Sequence, residues 1–391
     1  MKKLKIGLYG LGVVGQGLYN VLQNSRTVDA DILSICVKHE KPRAVGGDLI
    51  TRDQDKIIQN SDVNVVVELI DDADDAYRIV KNALLNGKDV VSGNKKMIAA
   101  HLRELIEIQK ETGKSLLYDA SACGSIPIIR NLEEYYDNDL LLSITGILNG
   151  SSNYILTKIF RDNQDYHTAL KEAQELGFAE SNPAFDVDGN DSLFKLVIIT
   201  AHAFGLLVAP EDIFRFGISK INAFDVQFAK EKGLKIKLVA KVLKTENNAV
   251  SLYVAPQFVD ESKYIYNVED EYNGVVIKGA FYDKQFMFGK GAGAFPTGSA
   301  VLSDITALSH NYKYEYKKLK YFNKPVFSND LTLKIYLRYQ QEKDLRYFNF
   351  EEVSEQYSGN GNNYIVGRIK LSNLVAIKDL VGDLPVFLGV I

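Results

Sequence analysis

Residues 2–22 read KKLKIGLYGLGVVGQGLYNVL. Residues 2–9 are rich in apolar positions and read as a buried strand. Gly10, Gly12 and Gly15 follow in GxGxxG spacing, with Val13 and Val14 between the last two. An amphipathic stretch then runs through Leu22 and reads as a helix. Strand, GxGxxG and helix in that order are the context a dinucleotide-binding fingerprint requires. The first glycine permits a tight turn. The second lets backbone N–H groups approach a pyrophosphate at the helix N-terminus, and the third lets helix and strand pack closely. A glycine-rich turn with no ligand is the plainer alternative. Lysines before an apolar run also resemble a secretory leader, but the four glycines of MKKLKIGLYGLGVVG and the lack of a small-residue cleavage site argue against one.

Outward from this stretch the alternation continues. ILSICVK (32–38), VNVVVELI (63–70), KDVVSG (88–93) and KSLLYDA (114–120) read as further strands, with helices after the third through Leu85 and over 98–112. Continuous apolar strands joined by helices form a parallel sheet buried on both faces. This predicts a Rossmann-type domain over 1–130. At the end of the second strand stand Lys38, His39, Glu40, Lys41 and Arg43. Lys38 and Arg43 suit a 2′-phosphate and Glu40 suits ribose hydroxyls, so the set favours NADP, with NAD as the alternative. Lys95 follows the fourth strand in SGNKK. Ligands gather at the carboxyl ends of such strands, although a plain surface lysine would look the same. The fifth strand runs into DASACGSIP, a small-residue turn suited to backbone carbonyls approaching a ligand or ion.

Past 130 the pattern becomes α+β. Helix 130–137 and strand LLLSITGIL (140–148) lead to NGSSNYILTKIF, where Ser151 or Ser152 reads as a helix N-cap. YHTALKEAQEL is closed by Gly177, a C′ glycine. Asp186–Lys195, DVDGNDSLFK, opens an apolar helix in which Asp191 and Lys195 share one face. A lysine tied to a carboxylate beside a buried helix is a candidate proton carrier. Taken alone, a solvated surface pair is the commoner outcome for that spacing. Residues 206–285 alternate a helix (Asp225–Lys232) with strands. GKGAGAFPT (289–297) is a second glycine-rich loop at a helix N-terminus and brings Gly291 to a possible anion or cofactor contact. The expected fold class is α/β. A Rossmann-type sheet (1–130, with 286–310 packing back onto it) precedes an α+β catalytic and dimerisation domain (131–285). A small C-terminal α+β module (311–391) follows, with EEVSEQYS as a short helix.

The totals agree with a folded enzyme-sized chain. At 391 residues, 46% hydrophobic and 25% charged, two or three domains are expected. A net charge of −4 without a basic block argues against nucleic acid as a partner. Cys36 and Cys123 form no CxxC and no disulfide framework. No apolar run reaches the roughly 18 residues of a membrane span. Cytoplasm is the expected location. Five scattered histidines make a transition-metal site unexpected.

Taken in order, these motifs resemble the homoserine dehydrogenase family. The resemblance rests on GxGxxG at 10–15, Asn94-Lys95, ACGSIPII, GILNGSSNYIL, EAQELGFAESNP, DVDGNDSLFK and GKGAGAFPT, and covers about 1–308. It implies reversible NAD(P)H-dependent reduction of L-aspartate 4-semialdehyde to L-homoserine, in the route to threonine, methionine and isoleucine. It implies Lys195 as proton donor, with Lys95 a second lysine beside nicotinamide and substrate. Glu180 and Asp191 would hold the substrate amino group, Asp186 would support them, and Ser151 would bond the substrate carboxylate or a water. Gly177 and Gly291 would touch cofactor. Asp119, Ala122, Gly124 and Ile126 would bind sodium through backbone carbonyls. A homodimer is also implied. The chain departs from the family at Asp71-Asp72-Ala73, where Gly-Gly and Thr are usual, and at Asp119, where Glu is usual. Its tail matches no ACT-domain motif, so inhibition by threonine is not implied.

Overall fold

A computed structural model describes residues 2–39, 43–359 and 361–391. The chain forms two units, Met1–Asp137 with Lys290–Lys320, and Asn138–Gly289 with Tyr321–Ile391.

The first unit is built on β1 (Leu4–Tyr9), β2 (Ala30–Cys36), β3 (Ile50–Thr51), β4 (Val65–Glu68), β5 (Asp89–Ser92) and β6 (Leu116–Leu117). Their order is β3-β2-β1-β4-β5-β6, and all the pairings are parallel. The chain starts at the centre and winds outward to both sides, so the carboxyl ends of β1 and β4 flank the point where the strand order reverses. That is where such sheets hold ligands. All of VVVE in β4 is buried, as a sheet covered on both faces demands. The two-residue β3 is a strand that periodicity could not reveal, because it is too short to show any. The helices Val13–Asn24 and Ala294–Ser309 pack together in this unit.

The second unit carries an 11-stranded sheet. Its strands are β7 (Leu141–Ile147), β8 (Phe214–Arg215), β9 (Lys235–Lys244), β10 (Ala249–Val259), β11 (Tyr272–Gly279) and β12 (Lys284–Lys290), then β13 (Val326–Phe327), β14 (Thr332–Tyr339), β15 (Phe350–Gly359), β16 (Asn362–Lys370) and β17 (Phe387–Val390). The main path is β12-β11-β7-β9-β10-β17-β14-β16-β15. The tail strands extend this sheet, because β17 pairs with both β10 and β14. EEVSEQYS, expected as a short helix, lies instead within strand β15, paired along its length with β16. The charged run is the exposed end of the sheet path, where carboxylates discourage edge-to-edge pairing. The helix Asn190–Phe204 packs on β7, β9 and β10. It is buried almost all round, as its apolar sequence LFKLVIITAHAF requires.

Candidate active site

The first unit gathers the residues suited to a nucleotide. Gly10 follows β1 at φ +92°, and Gly12 is the N-cap of the Val13–Asn24 helix. Among the described residues no side chain caps that helix, so the N–H groups of its first turn, at Val13, Val14 and Gly15, suit an anion. A Cβ on Gly15 would stand 2.3 Å from the Gly10 carbonyl oxygen, whereas one on Gly12 would meet nothing within 4 Å. The third glycine is thus required by packing, and the second keeps open the space above the turn.

Lys38, just past the end of β2, is exposed, with Asp75 at 3.8 Å. Arg43 donates to the His39 carbonyl at 2.9 Å. Glu40 and Lys41, which entered the cofactor reading, lie outside the described residues. Asp72, in the loop that departs from Gly-Gly, is the N-cap of the Ala73–Leu85 helix and accepts from Asp75 N–H at 2.8 Å. This bond holds its carboxyl below the usual range. Asn94 likewise caps the Lys95–Thr112 helix through Met97 N–H and donates to the Ile70 carbonyl at 3.1 Å. Lys95 is therefore the first residue of a helix that starts three residues earlier than the periodicity suggested. It is half-buried.

Glu68 was not expected to matter. It ends β4, is 0% exposed, and accepts from Ser92 Oγ at 2.5 Å and Ile70 N–H at 2.7 Å. Burial pushes its carboxyl up to about 7, against those two bonds. A charged residue closing an otherwise apolar strand was the available signal.

Asp119, Ala122, Gly124 and Ile126 occupy the turn after β6, with Ala122 in the short helix Ala120–Cys123. The Asp119 carboxylate accepts from Ile129 and Arg130 N–H groups at 2.7 and 3.2 Å. It thereby stabilises the start of the Ile128–Glu134 helix. Its own N–H meets Asp304 Oδ2 at 3.0 Å, and Asp304 Oδ1 accepts from Arg130 at 2.6 Å. Desolvation, then the charge of Asp119, pushes Asp304 up to about 7. Gly291 lies in the loop before Ala294–Ser309, within this unit.

The second unit gathers a different set. Lys195 Nζ meets Asp191 Oδ2 at 2.7 Å and donates to the Leu148 carbonyl at 2.7 Å. Lys195 is 6% exposed and Asp191 3%, so this is a buried pair and the solvated alternative does not hold. Asn149 joins it. Its Nδ2 donates to Asp186 Oδ1 at 2.8 Å and Asp191 Oδ2 at 2.9 Å, while its Oδ1 caps the Gly150–Arg161 helix through Ser152 N–H. The cap is thus Asn149, not Ser151 or Ser152. An Asn can accept from the backbone with its oxygen while its NH2 serves two carboxylates, which a serine hydroxyl cannot do. The hydroxyl of Ser151 donates to the Phe178 carbonyl, tying the helix start to the loop after Gly177. Gly177 is in the left-handed region, φ +76°, as a C′ residue should be. Glu180 is exposed and stands outside this bonded cluster. With both aspartates ionised and Lys195 protonated, the cluster carries one surplus negative charge, enough to receive a small cation. Asp188 holds the loop itself, accepting from Ser219 at 2.8 Å.

Comparisons place this chain among known proteins. The model of the family described as "Homoserine dehydrogenase, NAD binding domain" matches residues 10–119, and that of "Homoserine dehydrogenase" matches residues 127–306. The homoserine dehydrogenase of Bacillus subtilis is 34% identical over 323 residues, covering 80% of this chain and 74% of that protein. That of Helicobacter pylori is 36% identical over 317 residues, covering 79% and 74%. Among solved structures, a homoserine dehydrogenase from Thiobacillus denitrificans superposes with a TM-score of 0.86 at 29% identity, covering 100% of this chain and 98% of that one. A hyperthermophilic archaeal homoserine dehydrogenase mutant in complex with NADPH gives 0.69 at 25% identity, covering 80% and 100%.

Proposed function

This chain belongs to the homoserine dehydrogenase family, and from that premise we propose how its own residues carry out reversible reduction of L-aspartate 4-semialdehyde to L-homoserine. The observation that carries the reading is the Asn149–Asp186–Asp191–Lys195 cluster, in which Asn149, Asp191 and Lys195 are buried and Asp186 is half-buried. The substrate is an α-amino aldehyde with one ammonium. Asp186 and Asp191 supply the surplus negative charge to meet it, with Glu180 as a further carboxylate. Lys195 gives a proton to the aldehyde oxygen as that oxygen becomes a hydroxyl, and Asp191 and the Leu148 carbonyl hold its ammonium in place. By the family resemblance, Lys95 would be a second lysine for nicotinamide and substrate. Ser151 would bond the substrate carboxylate or a water, and its bond to the Phe178 carbonyl steadies the loop that carries Gly177.

The enzyme uses a nicotinamide cofactor, which when bound supplies the hydride. The Gly10–Gly15 turn and the uncapped helix behind it fit its pyrophosphate. Lys38 and Arg43 favour NADP over NAD, and Gly291 would contribute a further cofactor contact. The carbonyls of Asp119, Ala122, Gly124 and Ile126 would hold sodium. Two of these carbonyls accept one N–H each, Asp119 from Ala122 at 3.2 Å and Ile126 from Ile128 at 2.8 Å, and a carbonyl oxygen has two lone pairs. A homodimer is supported by a ladder of aromatics on the second unit, in which Tyr264 stacks on Phe286 and Tyr272 on Phe288. Phe288 is 53% exposed and Tyr264 51%. The proposed location is the cytoplasm. No helix among the described residues is long and apolar enough to cross a membrane.

The test is oxidation of NADPH, and of NADH in parallel, by purified protein supplied with aspartate semialdehyde. Turnover with a higher kcat/KM for NADPH is expected. Failure of both cofactors would overturn the assignment of substrate.

A further inference from the structure

The anchor of Lys195 is itself held, and by a residue that no motif singled out. The Leu148 carbonyl accepts from Lys195 Nζ at 2.7 Å and also from Asn273 Nδ2 at 3.0 Å. A carbonyl oxygen has two lone pairs, and here both are taken by side chains. Asn273 is 0% exposed, and its Oδ1 is buried with no hydrogen-bond partner among the described residues. The orientation of the amide is not free, since only its NH2 can face a carbonyl. The fold therefore leaves a polar oxygen unsatisfied to keep the donor on Leu148, and such an orphan calls for a reason.

The backbone shows how Asn273 comes to be there. Strands β7 and β11 pair antiparallel up to Gly274↔Ile147. One step further, the side-chain amide of Asn273 meets the Leu148 carbonyl, at the point where the chain turns from strand into the Asn149-capped helix. The segment just before Asn273 is fixed to that same helix. Asn153 Nδ2 donates to the carbonyls of Val268, Asp270 and Tyr272 at 3.2, 2.9 and 3.2 Å. Thr157 Oγ1 accepts from Asp270 N–H at 2.9 Å. Gly150 lies so near the Glu271 carbonyl that a Cβ there would stand at 2.6 Å. Beneath them the buried Lys237 donates to the Val268 carbonyl and to Asn153 Oδ1. Asn273 thus follows a segment hydrogen-bonded to the helix that Asn149 caps.

We propose that Asn273 is a positioning residue of the active site, which fixes the Leu148 carbonyl and through it the place of the Lys195 ammonium. This rests on Lys195 as proton donor. Asp191 fixes the ammonium from within its own helix, and Leu148 fixes it from just past the end of β7. With both in place, two of the three N–H groups are committed and the third is directed. Without Asn273 the Leu148 carbonyl can swing, and the direction of the third N–H is lost while the Asp191 pair persists.

The experiment compares wild type with Asn273→Ala in steady-state reduction of aspartate semialdehyde. A fall in kcat of about tenfold is expected, a fraction of what a general acid contributes. KM for NADPH should not change, and the solvent deuterium isotope effect on kcat should rise because proton delivery becomes slower. A kcat within twofold of wild type would overturn the proposal. So would a loss with an unchanged isotope effect, the mark of a merely structural role. Competitive acetylation of Lys195, read by mass spectrometry, needs no turnover and separates this proposal from the assignment of substrate. Labelling at Lys195 should rise severalfold in the variant, and equal labelling would overturn the proposal even if the wild type is inactive on this aldehyde. Should Asn273→Ala lose its near-ultraviolet circular dichroism, Asn273→Ser, smaller but still polar, is read by the same criteria.

Discussion

Replacing Glu68 by Gln keeps the shape of the side chain and removes its ionisation. Glu68 is fully buried at the end of β4, and desolvation pushes its carboxyl from 4.5 up to about 7. Below pH 4.5 the group is protonated whether the chain is folded or not, and its contribution to stability is fully present. Between pH 4.5 and 7 the folded protein holds a proton that the unfolded chain has released. Stability is therefore lost as pH rises through this window. The difference in proton affinity corresponds to roughly 3 kcal/mol over the window. Above pH 7 the buried carboxylate is ionised and the whole penalty applies. Glu68→Gln should escape it, so the variant should gain on wild type by roughly this amount between pH 4.5 and pH 8. Urea unfolding at the two pH values measures the difference, with hydrogen exchange of the β4 and β5 amides assigning the transition to the first unit. Equal pH dependence in both proteins would refute the reasoning and mean that Ser92 and Ile70 suffice to hold the carboxylate ionised.

Asn149→Ala removes a helix cap, worth about 1 kcal/mol, and two hydrogen bonds to carboxylates, each worth about 1.5–3 kcal/mol. The second unit should lose several kcal/mol in urea, and a variant as stable as wild type would deny Asn149 its role as hub. Gly15→Val sets a side chain against the Gly10 carbonyl. NADPH affinity, read by fluorescence titration, should fall on the order of a hundredfold, equivalent to about 2.7 kcal/mol; retained affinity would remove the fingerprint from cofactor binding.

Much of this was legible in the sequence because the signals were local. GxGxxG lies in ten residues with its strand and helix, and the apolar runs VVVE and DVVS identify buried parallel strands before any pairing is known. The i,i+4 spacing of Asp191 and Lys195 placed them on one face, and the order of motifs placed them in a family. What spacing could not reveal was burial. The same pair on an exposed helix would be an ordinary surface bridge. Here it is enclosed because the helix is apolar all round and lies on β7, β9 and β10. The long-range partners were illegible for the same reason. Asn149 reaches Asp186 and Asp191 across some forty positions, and Asn273 reaches Leu148 across 125. The departure at Asp71-Asp72 has a local reason that the motif comparison could not show, because the Asp72 carboxylate caps the Ala73–Leu85 helix. EEVSEQYS misled because an edge strand exposed on both faces lacks the alternation that marks a strand.

The central claim is that Lys195 delivers the proton. Its most direct test is the single-turnover rate of NADPH oxidation by aspartate semialdehyde in wild type and Lys195→Ala, with NADPH binding measured on both. A loss of about 10²–10⁴-fold with cofactor affinity unchanged is the predicted result. A variant that turns over within a few fold of wild type would contradict it and pass the role to Lys95.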